Sequence, residues 1–228
     1  MEIYRSIQGE GILMGVPTTF VGFFACNLRC SWCDTKYSWS IRDGGTWEST
    51  PPAEVAERVG RLGARHVVLT GGEPTLQKEL PLLALLLKGQ EHHLTIETNS
   101  TIFLNKAVPL IDLWSLSPKL SSAGQDYIRL HIIQYFLEHL RPDQQQWKFV
   151  IRHDADEAQL RDLLLHFPLF ATRHLPIILQ PEGAAALPDY SAALEQLAER
   201  VRDPFWKDYV VRILPQLHVI VWGRRKLV

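Results

Sequence analysis

Eight consecutive positions, Cys26 to Cys33, hold every cysteine of the chain in the order Cys-Asn-Leu-Arg-Cys-Ser-Trp-Cys. In a chain of 228 residues this crowding constrains the fold, because one element must deliver three thiols together against one ligand. A structural zinc site ordinarily takes four protein ligands with its cysteines in two close doublets. No fourth thiol exists, although nine histidines leave a distant zinc ligand formally available, and three unligated core thiols are the blandest reading. An iron-sulfur cubane is usually held by four thiolates. Three would anchor three irons and leave the fourth open to a small ligand, the reading that gives the window most to do. Trp32 could then exclude water beside the cluster; otherwise it is ordinary packing.

The flanking text supplies a scaffold. Thr18 to Phe24 is rich in threonine, valine and phenylalanine and reads as a buried strand whose end delivers the cysteine loop. Ser49 or Thr50 can cap a helix whose first turn tolerates Pro51 and Pro52. His66–Thr70 reads as a strand, followed by the turn Gly71-Gly72-Glu73-Pro74 and helical character over Leu76–Leu87. Further strands are expected at His93–Thr98, Asp112–Leu116, Trp147–Arg152 and Leu175–Gln180, and helices at Ile128–His139, Ala155–His166 and Leu187–Val201. Val210–Leu214 and Leu217–Trp222 have strand character of uncertain role. Short strands separated by helices argue for repeated βα units on a mostly parallel sheet. Six such units make either a doubly wound open sheet or an incomplete barrel.

Polar residues cluster at one edge of that scaffold. The cysteines, Glu73, Thr98, Asn99, Ser117, Lys119 and Gln180 all fall at or just past the C-terminal ends of expected strands, the edge where α/β folds bind ligands. Two glycines after a strand let backbone reach a ligand, and Glu73 could accept hydrogen bonds from an ammonium. Asp34-Thr35 is a turn pair, or else Thr35 is an oxygen ligand for a hard cation such as Mg²⁺. Upstream, Met1–Gly15 reads as a glycine-containing loop in which Gln8 and Glu10 present an amide and a carboxylate.

Lysine and arginine number 24 against 25 acidic residues, which gives no strong electrostatic footprint for nucleic acid. Apolar runs stop well short of about 18 residues, so no membrane helix is expected. The opening Met-Glu-Ile-Tyr is unlike a secretory signal, and clustered free thiols suit a reducing compartment. The expectation is one cytoplasmic domain over residues 1–228, with a substrate loop at 4–15 and an irregular insertion at 36–50.

The cysteine spacing followed by Gly-Gly-Glu-Pro resembles the radical S-adenosylmethionine (SAM) superfamily. Adding Ser6-Ile7-Gln8-Gly9-Glu10-Gly11, Asp34-Thr35, Glu97-Thr98-Asn99 and Ser117-Pro118-Lys119, the chain resembles the 7-carboxy-7-deazaguanine synthase family. The likeness is specific to about residue 120 and looser through Gln180-Pro181 and Gln216-Leu217-His218. It implies a homodimer with a modified, incomplete (βα)6 barrel of the TIM-like, radical SAM type. It also implies Mg²⁺-dependent ring contraction of 6-carboxy-5,6,7,8-tetrahydropterin to 7-carboxy-7-deazaguanine with loss of ammonia, for queuosine or archaeosine. In that family a reduced [4Fe-4S] cluster cleaves SAM to a 5′-deoxyadenosyl radical, and the electron donor is of flavodoxin or ferredoxin type.

Carried over by residue, Cys26, Cys30 and Cys33 hold the cluster and Thr35 the Mg²⁺. Gly72 and Glu73 receive the methionyl end of SAM, with Trp32, Asp34, Thr98, Asn99, Ser117, Lys119 and Gln180 around it. Gln8, Glu10, Thr70 and His218 face the pterin. One departure is Gly22, where the family usually has an arginine for the substrate carboxylate. Lys36 is the favoured replacement, ahead of Arg5 and Arg29. Ser100 stands where glycine is common. Competing readings are a glycyl-radical activating enzyme, which has no obvious need for Gln8 and Glu10, and a non-catalytic iron-sulfur carrier. A Rossmann methyltransferase lacks its Gly-x-Gly-x-x-Gly here.

Overall fold

The computed structural model describes residues 1–183, 187–223 and 225. Eight strands form one sheet in sequential order: β1 (Glu2–Ile7), β2 (Pro17–Phe23), β3 (His66–Gly71), β4 (His93–Thr98), β5 (Leu113–Leu116), β6 (Gln145–Val150), β7 (Pro176–Gln180) and β8 (Val210–Ile213). β1 runs antiparallel to β2, and every later neighbour pair is parallel. A doubly wound sheet reverses its strand order at a switch point. This order never reverses, and among the described residues β1 does not pair with β8, so the architecture is a partial TIM-like barrel.

Helices α1 (Pro52–Leu62), α2 (Leu80–Gly89), α3 (Leu130–His139), α4 (Asp154–His166), α5 (Leu169–Thr172) and α6 (Leu187–Arg200) lie between the strands, and α7 (Leu217–Trp222) follows β8. The alternation of β6 shows how the layers separate. Trp147 and Phe149 are wholly buried, and Trp147 meets Phe136 of α3 and Phe170 of α5 edge to face. Gln146 and Lys148, on the opposite face, look into the barrel.

The six strands expected from sequence correspond to β2–β7. The first seven residues are not loop: Met1 apart, they form β1, whose register puts Glu2 opposite Gly22. The loop proper begins at Gln8, held by hydrogen bonds between Gln8 and Val16 and between Gly15 and Gln8. Leu217–Trp222 is helix, because the chain has left the sheet and Leu217 donates its N–H to Gly9. Neither Ser49 nor Thr50 caps α1; Pro51 occupies the cap position and Pro52 the first turn. Residues 36–50 contain two short 3-10 turns, Lys36–Ser38 and Ile41–Asp43.

Candidate active site

The cysteine loop leaves β2 and folds against the loop after β3. Gly72 donates to Phe23 and Glu73 to Ala25 through backbone bonds of 2.9 and 2.8 Å. A Cβ on Gly72 would lie 2.0 Å from the Ala25 carbonyl oxygen, so this approach requires glycine. Leu28, Ala123 and Tyr127 form a small apolar cluster with Cys26, Cys30 and Trp32 packed against it. The three thiols are free and half-buried, and all line one cavity. Burial pushes the Cys26 and Cys30 thiols up, so ligation to metal, which takes thiolates, would have to deprotonate them. Among the described residues no three His, Cys, Asp or Glu side chains converge on a single ion. Three thiols and no fourth suit a cluster with one iron left open, whereas a structural zinc ordinarily takes four protein ligands.

The sulfurs accept hydrogen bonds both from the loop, where Leu28 N–H donates to Cys26 Sγ at 3.4 Å, and from outside it. Asn99 Nδ2 approaches Cys26 Sγ at 3.8 Å, and Trp39 Nε1 donates to Cys33 Sγ at 3.3 Å. The exposed Arg29 guanidinium lies 4.5 Å from the Trp39 ring centroid. Arg29 also donates to the carbonyls of Cys26 and Leu28. Arg5 donates to Leu62 at the surface. Neither points to the cavity as a carboxylate clamp, whereas the exposed Lys36 does line it.

The cavity, about 690 Å³, runs from the thiols over the ends of β3 to β6 toward residues 216–218. Every site residue named from sequence lines it except Glu73 and Gln180. Glu73 is completely buried and faces backbone: Oε1 accepts from Thr75 N, Thr75 Oγ1 and Thr98 Oγ1, and Oε2 from Asn99 N at 2.7 Å. Burial raises its pKa despite those donors. It ties the β3 loop to the end of β4 and is not among the residues that line the cavity. Gln180 is also fully buried, and its amide has no hydrogen-bond partner among the described residues.

Gln8 and Thr70 reach the cavity with their polar atoms already engaged. Gln8 Nε2 donates to Glu97 Oε1 at 3.1 Å, and Thr70 Oγ1 to Glu97 Oε2 at 2.8 Å. Gln8 Oε1 accepts the Glu10 N–H. Glu10 pairs with Lys148 and accepts from Gln216 Nε2. Burial alone would raise the Glu10 pKa, but Lys148, His218 and those hydrogen bonds bring it to about 2. Lys148 moves the other way, upward, because Glu10 and Glu97 outweigh its burial. Lys119 donates to Ser117 Oγ at 2.8 Å, 5.7 Å from the Trp32 ring centroid, and its pKa is lowered by burial and then by Lys148. Thr35 Oγ1 lies 3.8 Å from Cys33 Sγ, Asp34 is exposed, and Gly22 lies beside Glu2.

Glu97, Lys148 and Gln216 are site residues that the sequence reading did not single out. The signal for two of them was alternation: Glu97 and Lys148 are charged residues that alternate with the apolar Ile96 of β4 and with Trp147 and Phe149 of β6. Gln216 entered only within the looser likeness at Gln216-Leu217-His218, and its partner lies 206 residues away.

The radical SAM superfamily model matches residues 21–141. With its three-thiol loop and partial barrel, the chain belongs to that superfamily, whose members use a [4Fe-4S] cluster and SAM. Within it, the chain belongs to the 7-carboxy-7-deazaguanine synthases. It is 32% identical to the 7-carboxy-7-deazaguanine synthase of Halobacterium salinarum over 97% of this chain and 89% of that protein. The Aquifex aeolicus synthase is 28% identical over 95% and 90%. The crystal structure of QueE from Escherichia coli superposes with a TM-score of 0.67 at 25% identity, covering 93% of this chain and 91% of that one.

Proposed function

We infer that this protein is a 7-carboxy-7-deazaguanine synthase, acting by ring contraction of 6-carboxy-5,6,7,8-tetrahydropterin with loss of ammonia. The observation that carries the reading is one cavity with three free thiols at one end and buried carboxylates and an ammonium at the other. Cys26, Cys30 and Cys33 would hold the [4Fe-4S] cluster, which when bound and reduced supplies the electron that cleaves SAM. Trp32 and the Leu28–Tyr127 cluster keep water from that end. Gly72, Asn99, Ser117 and Lys119 surround the space between the ends, where SAM would lie. Thr35, between the thiols and Lys36, is the proposed Mg²⁺ ligand, with water or substrate oxygens completing the shell.

At the far end Gln8 and Thr70 hold Glu97, so the carboxylates, and not Gln8 or Thr70 themselves, meet the pterin. A glycyl-radical activase must admit a protein loop, and a pocket end filled with Glu10, Glu97 and Lys148 suits a small polar ring better. The electron donor, of flavodoxin or ferredoxin type, would approach the exposed Arg29–Trp39 side. Leu82 and Leu85, exposed on α2, give a homodimer an apolar face; a sedimentation coefficient of a monomer at micromolar concentration would remove that part of the reading.

The test is an anaerobic assay of reconstituted, reduced protein with SAM, Mg²⁺ and 6-carboxytetrahydropterin, read by mass spectrometry. 7-Carboxy-7-deazaguanine should form and should be lost in Cys30→Ala. SAM cleavage without deazaguanine would overturn the substrate, and no cleavage at all would overturn the chemistry.

A further inference from the structure

The Lys148–Glu10 pair is the one ion pair on the cavity wall among the described residues, and its side chains retain only 13 and 14% exposure. Withdrawing two charges from water is expensive, and fixing a fold seldom requires it. Both ions also have capacity to spare. Each Glu10 oxygen takes one donor, from Lys148 or from Gln216, and keeps acceptor capacity for another. The Lys148 ammonium carries three N–H groups, and Glu10 is its single hydrogen-bond partner among the described residues. Glu97 differs: Gln8 and Thr70 hold its oxygens, and among the described residues no cation is bonded to it.

A pterin and a deazaguanine share the part of the molecule that a ring contraction leaves untouched, the 2-amino-4-oxopyrimidine ring. Its edge presents an exocyclic amino group, a ring N–H and a carbonyl oxygen in a row: two donors, then an acceptor. The complement is two acceptors followed by a donor. A carboxylate in contact with an ammonium is that arrangement.

Building on the substrate reading above, we propose that Lys148 is a specificity-determining residue. Glu10 accepts the two N–H donors of the pyrimidinone edge while Lys148 donates to its carbonyl oxygen. Gln216 orients Glu10, and the ion pair keeps it a carboxylate. Because the edge is common to substrate and product, this contact holds the ring in register through the whole conversion. An analogue with an amino group in place of the carbonyl would set N–H donors against the ammonium and, its neighbouring ring nitrogen carrying no hydrogen, would set a lone pair against Glu10.

The test pairs protein variants with ligand variants in equilibrium dialysis, using SAM-loaded, cluster-reconstituted enzyme under anaerobic conditions. The probes are pterin-6-carboxylate, its 2,4-diamino analogue, and pterin without the carboxylate. Wild type should prefer the oxo over the amino compound by about ten- to a hundredfold, the range of a hydrogen bond to a charged group. Lys148→Met should shrink that preference by about tenfold, any remainder being Glu10's, with the effect of deleting the ligand's carboxylate unchanged. Lys148→Gln, whose amide can donate or accept, should shrink the preference in the same way. It carries the test should the methionine variant lose its iron. The proposal is overturned if both variants keep the full wild-type preference for the oxo compound. It is overturned equally if they lose discrimination only toward the carboxylate, which would make Lys148 that group's counter-ion. If wild type binds SAM but none of the three pteridines, the substrate reading itself fails, a pattern distinct from both.

Discussion

Glu73 shows how much a single side chain's environment decides. Its two oxygens face two different backbone N–H groups, Thr75 on one side and Asn99 on the other. A glutamine there must turn its NH₂ toward one of those donors whichever way the amide is flipped. Glu73→Gln should therefore lose one charge-assisted bond and leave a buried N–H unpaired, costing about 2–3 kcal/mol. Denaturant unfolding of variant and wild type under identical anaerobic conditions measures this; a loss below about 0.5 kcal/mol would show that the tie is unimportant. The Gly-Gly-Glu-Pro turn was legible in sequence, and so was the close approach its second glycine permits. The direction of the carboxylate was not, because a buried acceptor of backbone donors and an acceptor of a ligand's ammonium require the same residue.

At the scale of the strand, alternation carries the information. Thr18, His66 and Thr95, on β2, β3 and β4, form a hydrogen-bonded row beneath the cavity. Thr18 Oγ1 donates to the Val16 carbonyl, so it accepts from His66 Nδ1–H, and Nε2 accepts from Thr95 at 2.8 Å. That assignment needs a neutral imidazole. Burial, with His93 alongside, holds the His66 pKa down to about 4, against an ordinary value of 6.5. The folded state thus stays neutral while the unfolded chain gains a proton as pH falls from 6.5 to 4. Stability supplied by His66 is complete above 6.5 and is lost across that window, by on the order of 2–3 kcal/mol. Glu10 remains ionised throughout it, since its own pKa is about 2. Unfolding free energies at pH 7 and pH 4.5 should differ markedly in wild type and much less in His66→Gln; parallel pH profiles would remove His66 as the cause. The same period-two reading that places His66 inward also places Lys148 and Glu97 inward, so those site residues were available from sequence once each strand's two faces were separated. Reading β1 as loop had a different cause. Its glycines begin only at Gly9, and the residues before them pair with β2 along its whole length.

Over the whole molecule, the resemblance set Gln8, Glu10 and His218 around one ligand, but the bonds by which the chain's two ends meet across the mouth of the barrel were not legible. The loop after β1 takes its bonds from distant partners: Ile12 N donates to Gln146 Oε1 on β6, Leu217 N to the Gly9 carbonyl, and Gln216 to Glu10. Separations of 134 and 206 residues leave no local pattern to read. Yet this bridge covers the gap between the edge strands β1 and β8, which are otherwise unpaired with each other. It also sets Glu10 opposite Lys148. At Gly9 the ends are packed tightly enough that a Cβ would lie 2.1 Å from His218 Nδ1. The neighbour in the way is a side-chain ring, free to swing, and not backbone, so the barrel itself should survive Gly9→Ala. The expected cost is under about 1.5 kcal/mol of stability, while His218 leaves the cavity wall and the adjoining Gln216–Glu10 contact loosens. Affinity for pterin-6-carboxylate should then fall about tenfold or more with SAM affinity unchanged, because the thiol end shares no contact with this bridge. Equal losses for both ligands in parallel dialysis would mean that the two ends of the cavity move together, and that the bridge supports the barrel as a whole and not the substrate end alone.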